Sequence, residues 1–266
     1  QGNFLFRTVP SDTTTAQVLA SYLINQYSGL PKVAIFDNPN SAYSKSIRDQ
    51  FTLDFSNGGG TIFKNNDDKF DFSRTSFNAS NALEVAYLQE VNALALFPNS
   101  SNRAEAIEVI KANGEYNFPI IAADSVYNED TLKFGAAEAA NNLVIATPWI
   151  SFNSPNLSFP KEAESLWGGS VSWRTALAYD ATRVLITGLE SLREQQELNK
   201  RIALKNTLAD ENFSSYGATG EIYFSSNGDR KELKIELTRV VPSRCSPFGY
   251  SFVPLDYDRY VLDNCD

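Results

Sequence analysis

The sequence predicts an α/β protein, a parallel sheet with helices on both faces. Three observations predict it. Short apolar runs recur along the first half of the chain, at 33–36, 93–97, 118–122 and 143–147. Each is too short for a buried helix and suits a strand covered on both faces. Segments whose apolar residues recur at helical spacing alternate with these runs, as Ile47, Phe51 and Phe55 do. The connections are short, which is the pattern of repeated βαβ units.

Taken in order, residues 4–9, FLFRTV, read as a short strand. Pro10, Ser11 and Asp12 end it and cap a helix over about 13–27, with Val18, Leu19, Tyr22 and Leu23 on its apolar face. Gly29 and Pro31 stop that helix. The stretch 32–51, KVAIFDNPNSAYSKSIRDQF, holds a strand, a turn-forming loop over 37–41, and a helix for which Ser41 is the cap. In open α/β sheets ligands sit at loops that follow the carboxyl ends of strands. Tyr43 stands just beyond this loop, where it either offers a ring face and a hydroxyl to a cleft or packs the helix start.

The triple glycine 58–60 turns the chain into a strand at 61–63; no Lys-Ser/Thr follows, so it is not read as a phosphate loop. A polar loop over 65–69 precedes one or two short helices within 72–85. The strand 93–97 leads through a loop, 98–102, into a helix ending at Asn113-Gly114. The strand 118–122 is followed by Ala123, Asp124 and Ser125, then a short helix over 129–134 and the strand 143–147. Beyond Pro148 the rhythm changes. A Ser/Asn/Pro-rich linker over 151–160 precedes helices at 160–166, 172–194 and 198–208, the second with Leu177, Val184, Leu185 and Leu189 inward. Residues 217–229 read as a hairpin, with a strand at 221–224 and an Asn227-Gly228 turn. Strands at 233–241 and near 250–253 close the chain.

Composition limits what such a chain does. Its 266 residues are enough for two lobes. A net charge of −9 disfavours nucleic-acid binding, which usually needs a basic face. No apolar stretch is long enough for a membrane span. No basic and apolar leader is visible at Gln1, as expected also of a trimmed mature chain. The chain has no histidine, which removes the usual zinc sites and any Cys–His or Ser–His–Asp nucleophile. Aspartates near strand ends, Asp37 and Asp124, have no second carboxylate beside them in sequence. With no phosphate loop either, an enzyme is the weaker reading and no cofactor is expected. Cys245 and Cys265 flank a segment carrying Pro247, Gly249 and Pro254, a loop that a crosslink would tether. They are read as a disulfide, which implies an oxidising compartment, with two buried thiols as the alternative.

Three stretches carry a resemblance to a known family: FRTVPSD at 6–12, AYDATRVLITGL at 178–189 and GATGEIYFSSNGDRK at 217–231. In order and spacing they resemble the leucine/isoleucine/valine-binding type of periplasmic receptor, which has the type I fold of ABC-transporter solute-binding proteins. The likeness runs over nearly the whole chain and weakens in the cysteine tail. It implies a Rossmann-like second lobe over 1–147 plus 231–266, and a crossover with a partial first lobe over 148–230. In that family the FRT segment lies well inside the protein, so the first lobe's opening βα units are expected to be missing. The helices of the partial lobe then need other cover, for instance a second copy of the chain in a homodimer.

The resemblance also implies a function: a periplasmic or extracellular receptor that closes two lobes on a small polar solute, such as an amino acid or amide, and delivers it to the membrane permease of an ABC transporter. The same lobe in a signalling protein would sense the solute instead. Tyr43 falls where relatives place an aromatic against the ligand, and Asp124 where they place an acidic residue on its ammonium, a charge-assisted hydrogen bond. The alternative for Asp124 is a cap or a solvated turn. Ser100 falls where amino-acid binders use a tyrosine, a departure that bears on side-chain specificity. Asn99 and Ser125 are secondary contacts or helix caps. Trp149, at the crossover, stacks on a ligand or packs a hinge. Arg174 reaches a cleft or lies on a solvated face.

Overall fold

A computed structural model describes residues 4–63, 68–193, 199–258 and 261–262. Cys265, part of the polar loop expected at 65–69, the expected end of one helix at Glu194 and the expected start of another at Leu198 lie outside the described residues. The chain divides into two compact units, one of Asp12–Thr147 with Leu237–Asp266, the other of Gln1–Ser11 with Pro148–Glu236.

The first of these units begins with α1 (Asp12–Asn25), β1 (Lys32–Asp37), α2 (Ala42–Asn57) and β2 (Thr61–Ile62). Then come α3 (Ala79–Leu88), β3 (Ala93–Phe97), α4 (Arg103–Ala112), β4 (Ile120–Ala122), α5 (Glu129–Phe134), α6 (Ala136–Asn142) and β5 (Leu143–Thr147). β1 to β5 pair in parallel. Their sequence is that of the buried strand: all five residues of β3 and of β5 are buried.

Side chains alternate across this sheet as a strand's period of two requires. Ala34, Phe36, Leu94, Leu96, Ile120, Ala122 and Ile145 enter one core with α3, α4 and α6. Residues of opposite parity meet α1 and α2, and Phe51 of α2 stands edge-on to Phe97 with centroids 5.4 Å apart. The triple glycine has a steric reason. Gly59 has φ +93°, and a Cβ on Gly60 would lie 2.2 Å from the Phe55 ring.

The other unit opens with the N-terminal segment. The strand expected over 4–9 is reduced to a single parallel bridge between Arg7 and Asp229, reinforced by their 2.8 Å ion pair. α7 (Phe159–Trp167), α8 (Trp173–Ser191) and α9 (Lys200–Leu208) follow, then a hairpin of β6 (Ser215–Gly217) and β7 (Gly220–Ile222). The expected hairpin is thus displaced: its tight turn is Ala218-Thr219, while Asn227-Gly228 turns a looser pair joined by one bridge, Phe224 to Arg230. The reason is a buried ion pair. Asp180 of α8 meets Arg230 at 3.0 Å and accepts from the Ala218 amide at 2.6 Å, which draws the Ala218-Thr219 turn onto the helix.

Leu177 and Val184 of α8 are buried as expected, but Leu185 and Leu189 are 48% and 52% exposed. The helix instead turns Gly188 inward, where a Cβ would lie 2.7 Å from Leu204 of α9.

The chain then returns to the sheet as β8 (Glu236–Pro242) and β9 (Tyr250–Pro254), an antiparallel pair. The seven-stranded order is β2-β1-β3-β4-β5-β8-β9. Thr238 Oγ1 donates to the Ile145 carbonyl at 3.2 Å, fastening β8 beside β5. Among the described residues no helix is long and apolar enough to cross a membrane.

Candidate functional site

The strand order reverses once among the parallel strands, between β1 and β3, and such a switch point is where open α/β sheets bind ligands, outside the carboxyl ends of the strands. Three loops leave that edge here, 38–41 after β1, 98–102 after β3 and 123–128 after β4.

The first loop ends at Ser41, whose hydroxyl accepts from the Ser44 amide and caps α2. Ser44 is fully buried: its hydroxyl accepts from the Asn38 amide at 2.8 Å and donates to the Phe97 carbonyl at the end of β3. That fixes the first turn of α2, and with it Tyr43. The second loop is a 3-10 turn, Ser100–Asn102, capped by Asn99, whose side chain accepts from the Ser101 and Asn102 amides. Ser100 is exposed on that turn. The first and second loops are tied by Asn38 Nδ2 donating to Asn102 Oδ1 at 2.5 Å, and Asn102 Nδ2 donates to the Phe72 carbonyl at 2.9 Å.

The Tyr43 hydroxyl donates to Asp124 Oδ1 in the third loop. Burial, and then the Asp124 charge, push the Tyr43 phenol well above the ordinary tyrosine range. The phenol therefore stays protonated and serves as donor. Next to Asp124, the Ser125 hydroxyl is buried and makes no hydrogen bond of ordinary geometry, though it stands near enough to the Tyr43 oxygen to offset part of that rise. Arg103 Nε donates to the Ser125 carbonyl at 3.1 Å, and Arg103 Nη1 meets Asp130 at 3.3 Å.

At the end of β1, Asp37 pairs with Arg48 at 2.7 Å. In sequence Asp37 has no companion carboxylate; in the fold Asp71 lies beside it across a parallel bridge. Burial raises the Asp37 carboxyl to about 6, against the pull of Arg48 and with the help of Asp71 and Asp49. Among the described residues no group of three acidic or cysteine side chains has the arrangement of a metal site.

The structure thus brings Tyr43, Asp124 and Ser125 together and puts Asn99 and Ser100 on an adjacent loop of the same sheet edge. Trp149 belongs to the other unit, where its ring is 3% exposed, packs edge-on to Phe159 and donates from Nε1 to Ser154 Oγ at 3.3 Å. Arg174, in that unit too, stacks over Trp173 at 4.3 Å. Sequence reasoning missed Asn38, Ser44, Asn102 and Arg103. For Asn38, Asn102 and Arg103 the only signal was the density of short polar residues in DNPNS and PNSSNR; Ser44 lies in neither stretch. A surface hollow of about 380 Å³, lined by Asp68, Arg74, Phe77 and Asn81 among others, contains none of the predicted site residues.

No protein-family model matches the chain, and no curated protein matches it by sequence. Solved structures do match. A leucine binding protein, LivK, from Thermotoga maritima aligns with a TM-score of 0.72 at 18% identity, covering 95% of this chain and 68% of that one. An ABC transporter substrate-binding protein from Desulfitobacterium hafniense, solved in complex with Leu, aligns at 0.66 and 18%, covering 93% and 67%. A solute binding protein of an ABC transporter from Rhodopseudomonas palustris BisB5, in complex with 3,4-dihydroxy benzoic acid, aligns at 0.71 and 15%, covering 94% and 66%. At such identities the likeness is one of fold: the chain has the type I fold of the ABC-transporter substrate-binding proteins and spans about two thirds of their length.

Proposed function

We propose that this chain is the ligand-binding part of a non-enzymatic receptor for a small polar solute bearing an amine, an amino acid or an amide-like relative. The observation that carries this reading is the Tyr43–Asp124 pair, an aromatic ring and a carboxylate joined at the carboxyl edge of the sheet, one strand from its switch point. A carboxylate there gives an ammonium a charge-assisted hydrogen bond. Tyr43 supplies a ring face, and Asn99, Ser100 and Ser125 supply polar contacts from neighbouring loops. A Cys245–Cys265 disulfide would belong to the same reading, because it would fit a receptor that works in the periplasm or outside the cell and hands its solute to a permease.

The fold alone does not choose the solute. Structures that share it are described as bound to leucine and to 3,4-dihydroxy benzoic acid, and another as a fatty acid ABC transporter protein. The amine therefore rests on Asp124. Isothermal titration with amino acids, amides and aromatic acids tests it. Binding of an amine-bearing solute is expected, and Asp124→Ala is expected to weaken it roughly 10- to 100-fold, the worth of a hydrogen bond to a charged group. Affinity unchanged by Asp124→Ala, or binding restricted to solutes without an amine, would remove the assignment.

A further inference from the structure

The three loops at the carboxyl edge brace one another in pairs. Asn38 and Asn102 join the first to the second. Arg103, at the start of α4, joins the second to the third through the Ser125 carbonyl. Tyr43, at the start of α2, joins the first to the third through the Asp124 carboxylate. The bracing closes a triangle, and Asp124 stands at the corner where two of its sides meet.

Both bracing side chains are themselves fixed. Tyr43 sits in a helical turn pinned by Ser44 to the Phe97 carbonyl. Arg103 spans its loop from the Ser125 carbonyl to Asp130 in the first turn of α5, whose cap is Asn128. The turn that carries Asp124 is held at its carboxylate by one of them and at its next peptide by the other.

We propose that Tyr43 and Arg103 are positioning residues that hold the Asp124 carboxylate in place for the amine of the solute; this rests on the amine-binding reading above. A carboxylate on a free turn must be ordered when the ligand arrives, and that cost comes out of the affinity. Ordering one such side chain in advance is worth roughly 3- to 10-fold in Kd. A carboxylate offers about four lone-pair directions, so accepting the Tyr43 hydroxyl does not stop it from accepting an ammonium. The phenol, held protonated by its burial, remains a donor across the ordinary pH range.

The test uses the standard amino acids and their des-amino carboxylic acids as probes, screened by thermal shift, with Kd measured by titration for those that shift the wild type. Four variants are compared: Tyr43→Phe, Arg103→Gln, Asp124→Ala, and Tyr43→Phe with Asp124→Ala. Tyr43→Phe keeps the ring and removes only the hydroxyl, and Arg103→Gln approaches from a different loop, so one misfolded variant does not decide the outcome. Tyr43→Phe and Arg103→Gln are each expected to weaken amino-acid binding about 3- to 10-fold while weakening the des-amino probes less. On the Asp124→Ala background Tyr43→Phe is expected to add nothing, the coupling that a positioning role requires.

If Asp124→Ala weakens amino-acid binding but Tyr43→Phe and Arg103→Gln do not, the positioning role is wrong and the amine site stands. If the two variants weaken amino-acid and des-amino probes alike, they act on general stability and the positioning role is again wrong. If Asp124→Ala changes nothing, or no amino acid binds the wild type, the amine reading fails and takes the inference with it.

Discussion

Asp37 makes the chain's stability depend on pH in an unusual direction. Its carboxyl is buried at the end of β1, and burial outweighs the Arg48 ion pair, while Asp71 and Asp49 add repulsion. The pKa rises from 3.8 to about 6, roughly two pH units, or about 3 kcal/mol at full extent. The folded chain holds this proton more tightly than the unfolded one. Its contribution is therefore fully present below about pH 4 and lost as pH rises through 6. Between about pH 8 and pH 5 it amounts to about 1 kcal/mol of added stability on acidification.

Other carboxylates pull the opposite way, so the quantity to measure is a difference. The change in unfolding free energy from pH 8 to pH 5 is compared between the wild type and Asp37→Asn, in which the site cannot titrate. Trp149, Trp167 and Trp173 all lie in the unit that does not contain Asp37, so tryptophan fluorescence is the wrong probe. Amide exchange in β1 and β3, or urea unfolding followed by far-UV circular dichroism, reports on the right unit. The wild type is expected to gain about 1 kcal/mol over the variant on acidification. Equal pH slopes for the two chains would refute the reasoning, as would an Asp37 carboxyl resonance that titrates in the ordinary carboxylate range.

Three other outcomes are expected. Phe51→Ala, which empties the space between Phe55 and Phe97, is expected to cost about 3–5 kcal/mol, read by urea unfolding of the sheet-bearing unit. Arg230→Met leaves the Asp180 carboxylate buried without its cation and is expected to cost about 3–5 kcal/mol, with tryptophan fluorescence as the probe; adding Asp180→Leu is expected to recover much of the loss. A Cys245–Cys265 crosslink is expected to appear in a non-reducing peptide map and to contribute about 3 kcal/mol for a loop of this length, lost on reduction; two free thiols in the map would refute it.

The parallel sheet was the most legible part of the molecule, because strands covered on both faces leave uninterrupted apolar runs. β3 and β5 begin and end where their runs do, since every residue of each is buried. α2 was legible from Ser41 and from Ile47, Phe51 and Phe55, all three of which are buried. The region after Pro148 was less so, because its helices pack on a small hairpin and on one another. Leu185 and Leu189 look inward by period alone, but the close approach of α9 at Gly188 turns α8 so that they remain half exposed. The hairpin was misplaced because Asn-Gly is the stronger local turn signal, while the turn that forms is drawn in by Asp180, some 38 residues away in sequence. At the site, Tyr43 and Asp124 were legible as residues just past strand ends. Asn38–Asn102 and Arg103–Ser125 were not, because each is a contact between loops 64 and 22 residues apart, and no local pattern encodes it.

What local pattern does encode is the composition those contacts need. Apart from Arg103, DNPNS and PNSSNR consist of short side chains suited to capping and to turn hydrogen bonds. In these stretches Ser41 and Asn99 cap helical turns, and Asn38 and Asn102 tie the two loops together. Among the described residues, the groups at this edge with a larger chemical reach include the Tyr43 ring and hydroxyl, the Asp124 carboxylate, Arg103 with Asp130, and Asp37 with Arg48. Of these, Asp37 and Arg48 are engaged with each other, and the raised Asp37 pKa shows that burial already opposes charge there. An incoming cation at Asp37 would have to displace Arg48 and bring a further charge into a buried position, which is the costlier course. Asp124 accepts from a neutral phenol instead, so its charge is not cancelled by that contact. The same edge thus has one carboxylate neutralised by an arginine and another hydrogen-bonded to a tyrosine. On the proposed reading the amine goes to Asp124, because Asp37 is already paired with Arg48.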